Sequence, residues 1–321
     1  MYFYVFLQPD VFDEAVSDGA DAIQSVVGIL TGLLQNCFLA VFEDYRWDES
    51  VKEKVEAWPP NMSRKRVKTI LAQMKKGNRL LYSLVPDYEG TSADLKCVFD
   101  QATTNSLDLI LMVEGEEEFP SPAGVELATR PTYQESAFEP MRSDLAVYGK
   151  TCTPEELDEM TFLEFHFQKA LRFATEIHIC DRLCGAKSFT GNFRYTVRQL
   201  FTWLGRVLEH PESCSIFFHI EKPSGKGDVF VIGEIDSIKK ASLPSTPIEI
   251  RFYEKVDEKS ALPHQRFIAT DQVALNVERG LDFLDQGTKR CRDTFITYQN
   301  PEETRRLLSL YASQCVSRNA V

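Results

Sequence analysis

Long apolar runs are absent from this sequence. None of its 321 residues fall in a stretch of about twenty uninterrupted apolar residues, so no transmembrane helix is predicted. The N-terminal residues Met1 to Gln8 are apolar, but they lack the basic region and the small-residue cleavage site of a signal peptide. They predict a first buried strand instead. The length favours about two domains, each large enough for its own core.

Positive charge is also scarce. The chain has 36 lysines and arginines against 48 aspartates and glutamates, which gives a net charge of -12. An acidic surface keeps a protein soluble and disfavours broad, nonspecific binding to nucleic acid or to an anionic membrane. A local basic cleft remains compatible with this balance.

Paired cysteines with metal-ligand spacing are missing. The eight cysteines are scattered, and Cys180 and Cys184 are separated by three residues without a second pair nearby. This spacing does not match a zinc site, so we predict no metal and no other cofactor. Reduced core cysteines in a cytoplasmic protein are the expected state.

The N-terminal part alternates strand and helix patterns, which predicts an α/β fold with a parallel sheet in a domain that spans 1–118. The predicted strands are 2–7, 37–42, 79–84 and 107–113. The predicted helices are 20–34, 49–57, 63–76 and 92–102, with Ser63 as the N-cap of the third.

Acidic residues follow three of these predicted strands, at the edge where open α/β sheets bind ligands. They are Glu43, Asp44, Asp87, Glu114, Glu116, Glu117 and Glu118. The layout resembles that of PIN-like nucleases, in which converging carboxylates hold a divalent metal. A scaffold or partner-binding domain is the alternative, because acidic residues are common at strand ends.

Periodicity is lost over 119–153, where prolines and glycines predict a linker or long loop. A second α/β domain is predicted over 154–321, beginning with a helix capped by Thr153. Its predicted strands are 176–181, 214–220, 248–253, 266–270, 273–277 and 294–298. Its later predicted helices are 192–208 and 301–312, the second with Asn300 as N-cap.

One short stretch of the second domain carries the functional prediction. His264 and Arg266 are two residues apart where a predicted strand begins, so they point the same way and offer an imidazole and a guanidinium to one ligand. Imidazole can attack phosphorus or move a proton near neutral pH, and guanidinium supplies a fixed fork of donors to phosphate oxygens. The pair therefore predicts a phosphate-handling site.

The spacing His264-x-Arg266-x4-Asp271 resembles the H-x-K-x4-D motif of the phospholipase D superfamily. The resemblance implies that His264 is the nucleophile, that Arg266 holds the phosphate and that Asp271 supports the site. Arginine replaces the family's lysine, and the Gly-Ser and Asn that follow the family's aspartate are not in register here. The run Arg279-Gly-Leu-Asp282 is similar to the phospholipase-D-like C-terminal domain of MIT-domain proteins.

Three further residues follow from that resemblance. Asp181 ends a predicted strand that resembles the opening of a single phospholipase-D-like unit, and Arg279 and Asp282 lie in the similar run. We therefore expect Asp181, Arg279 and Asp282 to contribute to phosphate or substrate binding. The second domain is expected to be a phospholipase-D-like mixed sheet flanked by helices. The resemblance also implies a bacterial protein that acts in defence against mobile DNA.

The family's chemistry needs two histidines, whereas the chain has one such motif. The resemblance thus predicts a metal-independent phosphodiesterase, with nucleic acid as the favoured substrate, in which a homodimer brings two copies of His264 together. The alternative is a catalytically degenerate module that binds a partner protein, nucleic acid or an anionic lipid headgroup. The missing Gly-Ser and Asn, the arginine and the acidic net charge favour this alternative.

Overall fold

The computed structural model describes residues 2–42, 46–85, 92–115, 121–153, 158–186, 189–224, 227–256, 259–260, 262 and 264–321. The chain divides into two compact units, Tyr2–Ala146 and Val147–Val321. Both units combine helices with sheets, so the predicted α/β class is confirmed. No helix within these described ranges is long and apolar enough to cross a membrane.

The N-terminal unit is built around a parallel sheet of five strands. Its elements are β1 (Phe3–Leu7), α1 (Val11–Asp18), α2 (Ala20–Asn36), β2 (Cys37–Phe42), α3 (Arg46–Ala57), α4 (Met62–Lys76), β3 (Leu80–Val85), α5 (Ser92–Ala102), β4 (Leu109–Met112), β5 (Glu126–Thr129) and α6 (Phe138–Tyr148). The strand order is β3-β2-β1-β4-β5, and every neighbouring pair runs parallel. The order reverses between β1 and β4, which is where ligands bind in doubly wound sheets.

The predicted parallel sheet is confirmed, and two details differ from the sequence-based expectation. The N-cap of α4 is Asn61, whose side chain accepts from the Arg64 N–H, while Ser63 accepts from Gln24. The stretch predicted as a linker contains ordered elements in its described residues 121–153. Strand β5 joins the parallel sheet beside β4. The sequence pattern did not predict β5, because a short edge strand needs little apolar sequence of its own.

The C-terminal unit contains a mixed sheet of eight strands. Its elements are β6 (Lys150–Cys152), α7 (Glu159–Leu171), β7 (Glu176–Cys180), α8 (Arg182–Ala186), α9 (Asn192–Val207), β8 (Ser215–Glu221), α10 (Gly227–Ser242), β9 (Ile248–Tyr253), β10 (Lys255–Val256), β11 (Lys259–Ser260), β12 (Phe267–Thr270), β13 (Ala274–Val277), β14 (Leu284–Asp285), β15 (Arg290–Cys291), β16 (Thr294–Gln299), α11 (Pro301–Ala312) and β17 (Cys315–Ala320). The order of the large sheet is β17-β9-β8-β7-β12-β13-β16-β6. Strands β7, β8 and β9 are parallel to one another, and the other pairings are antiparallel.

Two helix starts in this unit follow different capping residues. The helix expected after Thr153 begins at Glu159, and Asp158 caps it by accepting from the N–H groups of Met160 and Thr161. The predicted Pro154 and Glu156 lie outside the described residues. Asn300 caps α11 as predicted, since its side chain accepts from the N–H groups of Glu302 and Glu303.

All eight cysteines lie in the described part of the chain, and each is a free thiol. Six of them are buried, and Cys97 and Cys315 are half-buried. Burial raises the pKa of the Cys180 and Cys184 thiols, which keeps both protonated at neutral pH. These two residues therefore pack as small apolar side chains beneath the carboxyl end of β7.

Candidate functional site

The candidate site lies where the carboxyl end of β7 meets the start of β12. Cys180 pairs with Phe267 across these antiparallel strands, so Asp181 and Arg266, the next residues outward, become neighbours. His264 precedes β12 by three residues and is exposed. His264 and Arg266 both lie just before β12, because the strand that we predicted to begin at Arg266 begins one residue later. The structure thus brings together Asp181, His264 and Arg266 from two distant parts of the sequence.

Arg182 joins these residues, although the sequence pattern did not indicate it. Its Nη1 lies 3.5 Å from Nε2 of His264, at the limit of a hydrogen bond. Its Nε lies 4.0 Å from Oε2 of the buried Glu221, at the end of β8. The antiparallel pairing of β7 with β12 places Arg182 here, and a long-range pairing of that kind leaves no local signal in the sequence.

Arg266 is held by two groups of the protein. Its Nη1 donates to the Glu278 carbonyl oxygen at 2.7 Å, and its Nε lies 4.0 Å from Oδ1 of Asp181. Its side chain is 25% exposed, and that of Arg182 is 23% exposed. Both guanidinium groups therefore reach solvent while their positions are constrained, which is the condition for binding an anion at a defined geometry.

The Asp181 carboxylate is completely buried and accepts three backbone hydrogen bonds. Its Oδ1 accepts from Leu183 and Cys184, and its Oδ2 accepts from Leu281 at 2.6 Å. Burial raises the pKa of Asp181 to about 6, although Arg266 and the three N–H groups act in the opposite direction. Asp181 positions Arg266 and the segment around Gly280, and it is too buried to touch a ligand itself.

Close backbone packing brings these elements together. Gly280 has a φ of +58°, and a Cβ there would lie 2.3 Å from Oδ2 of Asp181 and 2.7 Å from Cδ of Arg266. At Gly185 in α8, a Cβ would lie 1.9 Å from the Glu221 carbonyl oxygen. Only glycine permits either approach, because any other side chain would displace the groups that carry the site.

Asp271 is separated from the other motif residues. It follows β12 at the opposite end from His264, and a strand rises about 3.3 Å per residue, so it lies roughly 15 Å from Arg266. Its Oδ1 accepts from the N–H groups of Thr175 and Glu176 at the start of β7. The Asp271 carboxylate thus fastens the start of β7, and it does not share a ligand-sized space with His264.

Arg279 and Asp282 lie beside the site in sequence, but their side chains are engaged elsewhere. Arg279 donates from Nε to the Asp293 carbonyl oxygen, and its Nη1 lies 3.6 Å from Asp282. Asp282 also pairs with Arg292 at 2.8 Å. The backbone of this run contributes more directly, through the Glu278 carbonyl and the Leu281 N–H.

The charges at the site nearly balance. Two guanidinium groups face solvent, while two buried carboxylates, Asp181 and Glu221, lie behind them. An incoming phosphate would therefore be held by directed N–H donors, with little net electrostatic attraction.

Beside the other candidate edge, in the N-terminal unit, two of the protein's own cations pair with carboxylates. Lys54 pairs with Asp10 and Asp13, and Arg130 pairs with Asp18 and lies 3.6 Å from Glu14. Glu14 accepts from the Glu114 N–H at 3.1 Å.

The predicted Glu43, Asp44, Asp87, Glu116, Glu117 and Glu118 lie outside the described residues. Among the residues that are described, no cluster of three metal-binding side chains occurs. The carboxylate-metal hypothesis for this unit therefore stays a prediction.

Comparison with known proteins adds no family to this geometry. No protein-family model matches the chain, and no curated protein matches it. The fold defines a two-unit α/β protein, and its function has to be inferred from the residues themselves.

Proposed function

We propose that the C-terminal unit binds a phosphodiester at Arg182, His264 and Arg266, and that a homodimer hydrolyses it without a metal. One observation carries the proposal: an exposed imidazole lies 3.5 Å from one guanidinium, and a second guanidinium is anchored two residues away. Imidazole is a nucleophile for phosphorus, and two guanidinium forks can hold the non-bridging oxygens.

The chemistry requires two imidazoles with different roles. A neutral His264 attacks phosphorus, so that a P–N bond forms while the P–O bond to the leaving alcohol breaks. The departing alkoxide takes its proton from the imidazolium of the second subunit's copy of His264. Water then attacks the phosphohistidine and gives a proton to the now neutral second imidazole while the P–N bond breaks, which releases a phosphate monoester and restores both rings. Nucleic acid is the substrate that we favour.

Hydrolysis of bis(p-nitrophenyl) phosphate in the presence of EDTA tests the catalytic proposal. We expect activity in the unmodified protein and none in His264→Asn, because asparagine cannot form the phosphoramidate bond. His210→Asn is the matched control, since His210 is exposed and lies outside the site. Full activity in His264→Asn would remove the assignment. Light scattering should show a dimer, and a strict monomer with turnover would contradict the two-imidazole mechanism.

A binding module is the second candidate, and the surroundings of the other histidines favour it. His166 is buried against Cys152, and His178 and His219 are hydrogen-bonded to each other, so none is positioned as a second catalyst. Arg182 also lies 3.5 Å from Nε2 of His264, and an attack through that nitrogen would need the lone pair that faces the guanidinium. This candidate predicts saturable binding of a phosphodiester without turnover, and little loss of affinity in His264→Asn compared with Arg182→Gln.

A further inference from the structure

Four side chains form a continuous hydrogen-bonded chain across the three parallel strands β7, β8 and β9. Nε2 of His178 lies 3.5 Å from the exposed Glu176 carboxylate, and Nδ1 of His178 lies 3.0 Å from Nε2 of His219. Nδ1 of His219 lies 2.8 Å from the Tyr253 hydroxyl. We refer to Glu176, His178, His219 and Tyr253 as the relay. It begins at solvent and ends in the core.

The geometry fixes the tautomer of each ring. An ionised Glu176 can only accept, so the proton of neutral His178 is on Nε2 and its Nδ1 is an acceptor. His219 must then donate from Nε2, which leaves its Nδ1 as an acceptor for the Tyr253 hydroxyl. Every donor in the relay therefore points toward the solvent end, and each neutral ring has a single permitted form.

The relay is enclosed by rings and charges. Phe217 stacks on the His178 ring with 4.8 Å between the ring centroids, and Cζ of Arg251 lies 4.3 Å from the centroid of the Phe217 ring. His219 and Tyr253 are fully buried. The charged groups that face the two imidazoles from the neighbouring strands are Glu176, Asp271, Arg251 and Arg318. Burial lowers the pKa of both histidines, so both are neutral at pH 7.

We propose that the relay is an acid-sensitive switch that takes up one proton as a unit. A proton added to His178 occupies Nδ1, which must then donate to Nε2 of His219. The proton of His219 moves to Nδ1, and the Tyr253 hydroxyl must turn away from it. Tyr253 packs in a core cluster with Cys180, Leu262 and Phe267, and its hydroxyl loses the acceptor that neutral His219 provides. A second proton would place two imidazolium groups 3.0 Å apart.

Protonation thus loosens the contact between β8 and β9 at Tyr253. Tyr253 packs in one cluster with Cys180 and Phe267. Cys180 directly precedes Asp181, and Phe267 directly follows Arg266. The switch lies next to the candidate phosphate site, but its existence does not depend on the phosphate chemistry proposed above.

Imidazole ¹⁵N NMR of the intact protein tests the relay without a mutation. We expect both His178 and His219 to carry the proton on Nε2 at neutral pH, and to protonate in one coupled step below the ordinary histidine range. Amide exchange in β8 and β9, corrected for its intrinsic pH dependence, should rise about tenfold through that step, as expected for one lost buried hydrogen bond. A His219 protonated on Nδ1 at neutral pH, or two independent titrations, would overturn the proposal.

A pair of tyrosine variants tests whether Tyr253 transmits the switch. Tyr253→Phe removes the hydrogen bond that protonation is proposed to break, so amide exchange in β8 and β9 should no longer rise through the coupled step, while His219 keeps its proton on Nε2. Tyr311→Phe is the matched control, because Tyr311 packs against the same cluster outside the relay. It should leave both imidazoles unchanged. An exchange rise of the same size in Tyr253→Phe would show that loss of the Tyr253 hydrogen bond does not loosen β8 and β9, and the proposal would fail.

Discussion

The change Gly280→Ala should lower the stability of the protein and disturb the candidate phosphate site together. The new Cβ would lie 2.3 Å from Oδ2 of Asp181, so the hydrogen bond from Leu281 to that oxygen cannot persist. A left-handed backbone costs a non-glycine residue about 1–2 kcal/mol, and an unpaired buried N–H costs about 1–3 kcal/mol. We expect a loss of roughly 2–5 kcal/mol in the free energy of unfolding.

Gly191→Ala provides the matched control. Gly191 has the same φ of +58°, with a ψ of −129°, and a Cβ there would have no atom within 4 Å. This backbone conformation is at least as strained for alanine, so any excess loss at Gly280 arises from the contact with Asp181 and Arg266.

Urea denaturation measures the stability, and hydrogen exchange at the Leu281 amide reports the broken bond. Phosphodiester binding should be lost in Gly280→Ala alone. If both variants lost the same free energy of unfolding and the Leu281 amide were still protected from exchange, the contact with Asp181 would not be the cause of the loss.

Three further predictions concern single residues. Arg182→Gln should weaken binding of dimethyl phosphate about tenfold or more, as expected for loss of a charged donor, whereas the exposed Arg206→Gln should not; calorimetry would measure both. His166 is buried beside Cys152, and burial lowers its pKa from 6.5 to about 3. Below pH 6.5 the unfolded chain therefore takes up a proton that the folded protein does not, so the free energy of unfolding falls as the pH drops from 6.5 toward 3. His166→Leu should flatten this acid limb, which amounts to roughly 5 kcal/mol at most, in urea melts between pH 3 and 7. Asn300→Ala should cost about 1 kcal/mol through loss of the cap on α11, and an unchanged urea midpoint would show that the cap contributes nothing.

The strands that are buried on both faces could be predicted from the sequence because they are nearly continuous apolar runs. β2 matches its predicted range, and β1 and β4 differ from theirs by one or two residues. Their burial is set by local composition, so no knowledge of distant partners is needed.

Helix α10 escaped prediction because its apolar residues do not all face the core. Val231, Ile235 and Ile238 are buried at helical spacing, but Val229 and Phe230 in the first turn are exposed and obscure the period. Strand β17 was missed for the opposite reason. It is a polar edge strand, and it gains its position from pairing with β9 rather than from its own composition.

The candidate site was only partly visible in the sequence. The two-residue spacing of His264 and Arg266 identified both residues, because that signal is local. Arg182 and Glu221 reach the same place through the neighbouring positions of β7, β8 and β12, which depend on pairings between residues 39 or more positions apart. Asp271 shows the reverse case, since its spacing suggested a site residue while the strand between it and Arg266 carries it to the other end of the sheet.

The proposed function requires a phosphodiester to bind at Arg182, His264 and Arg266. Titration of dimethyl phosphate into the protein, followed by the imidazole ¹⁵N signals of its five histidines, tests it most directly. We expect a saturable shift at His264 that is lost in Arg182→Gln. A His264 signal that stays unchanged while dimethyl phosphate reaches saturation elsewhere on the protein would contradict it.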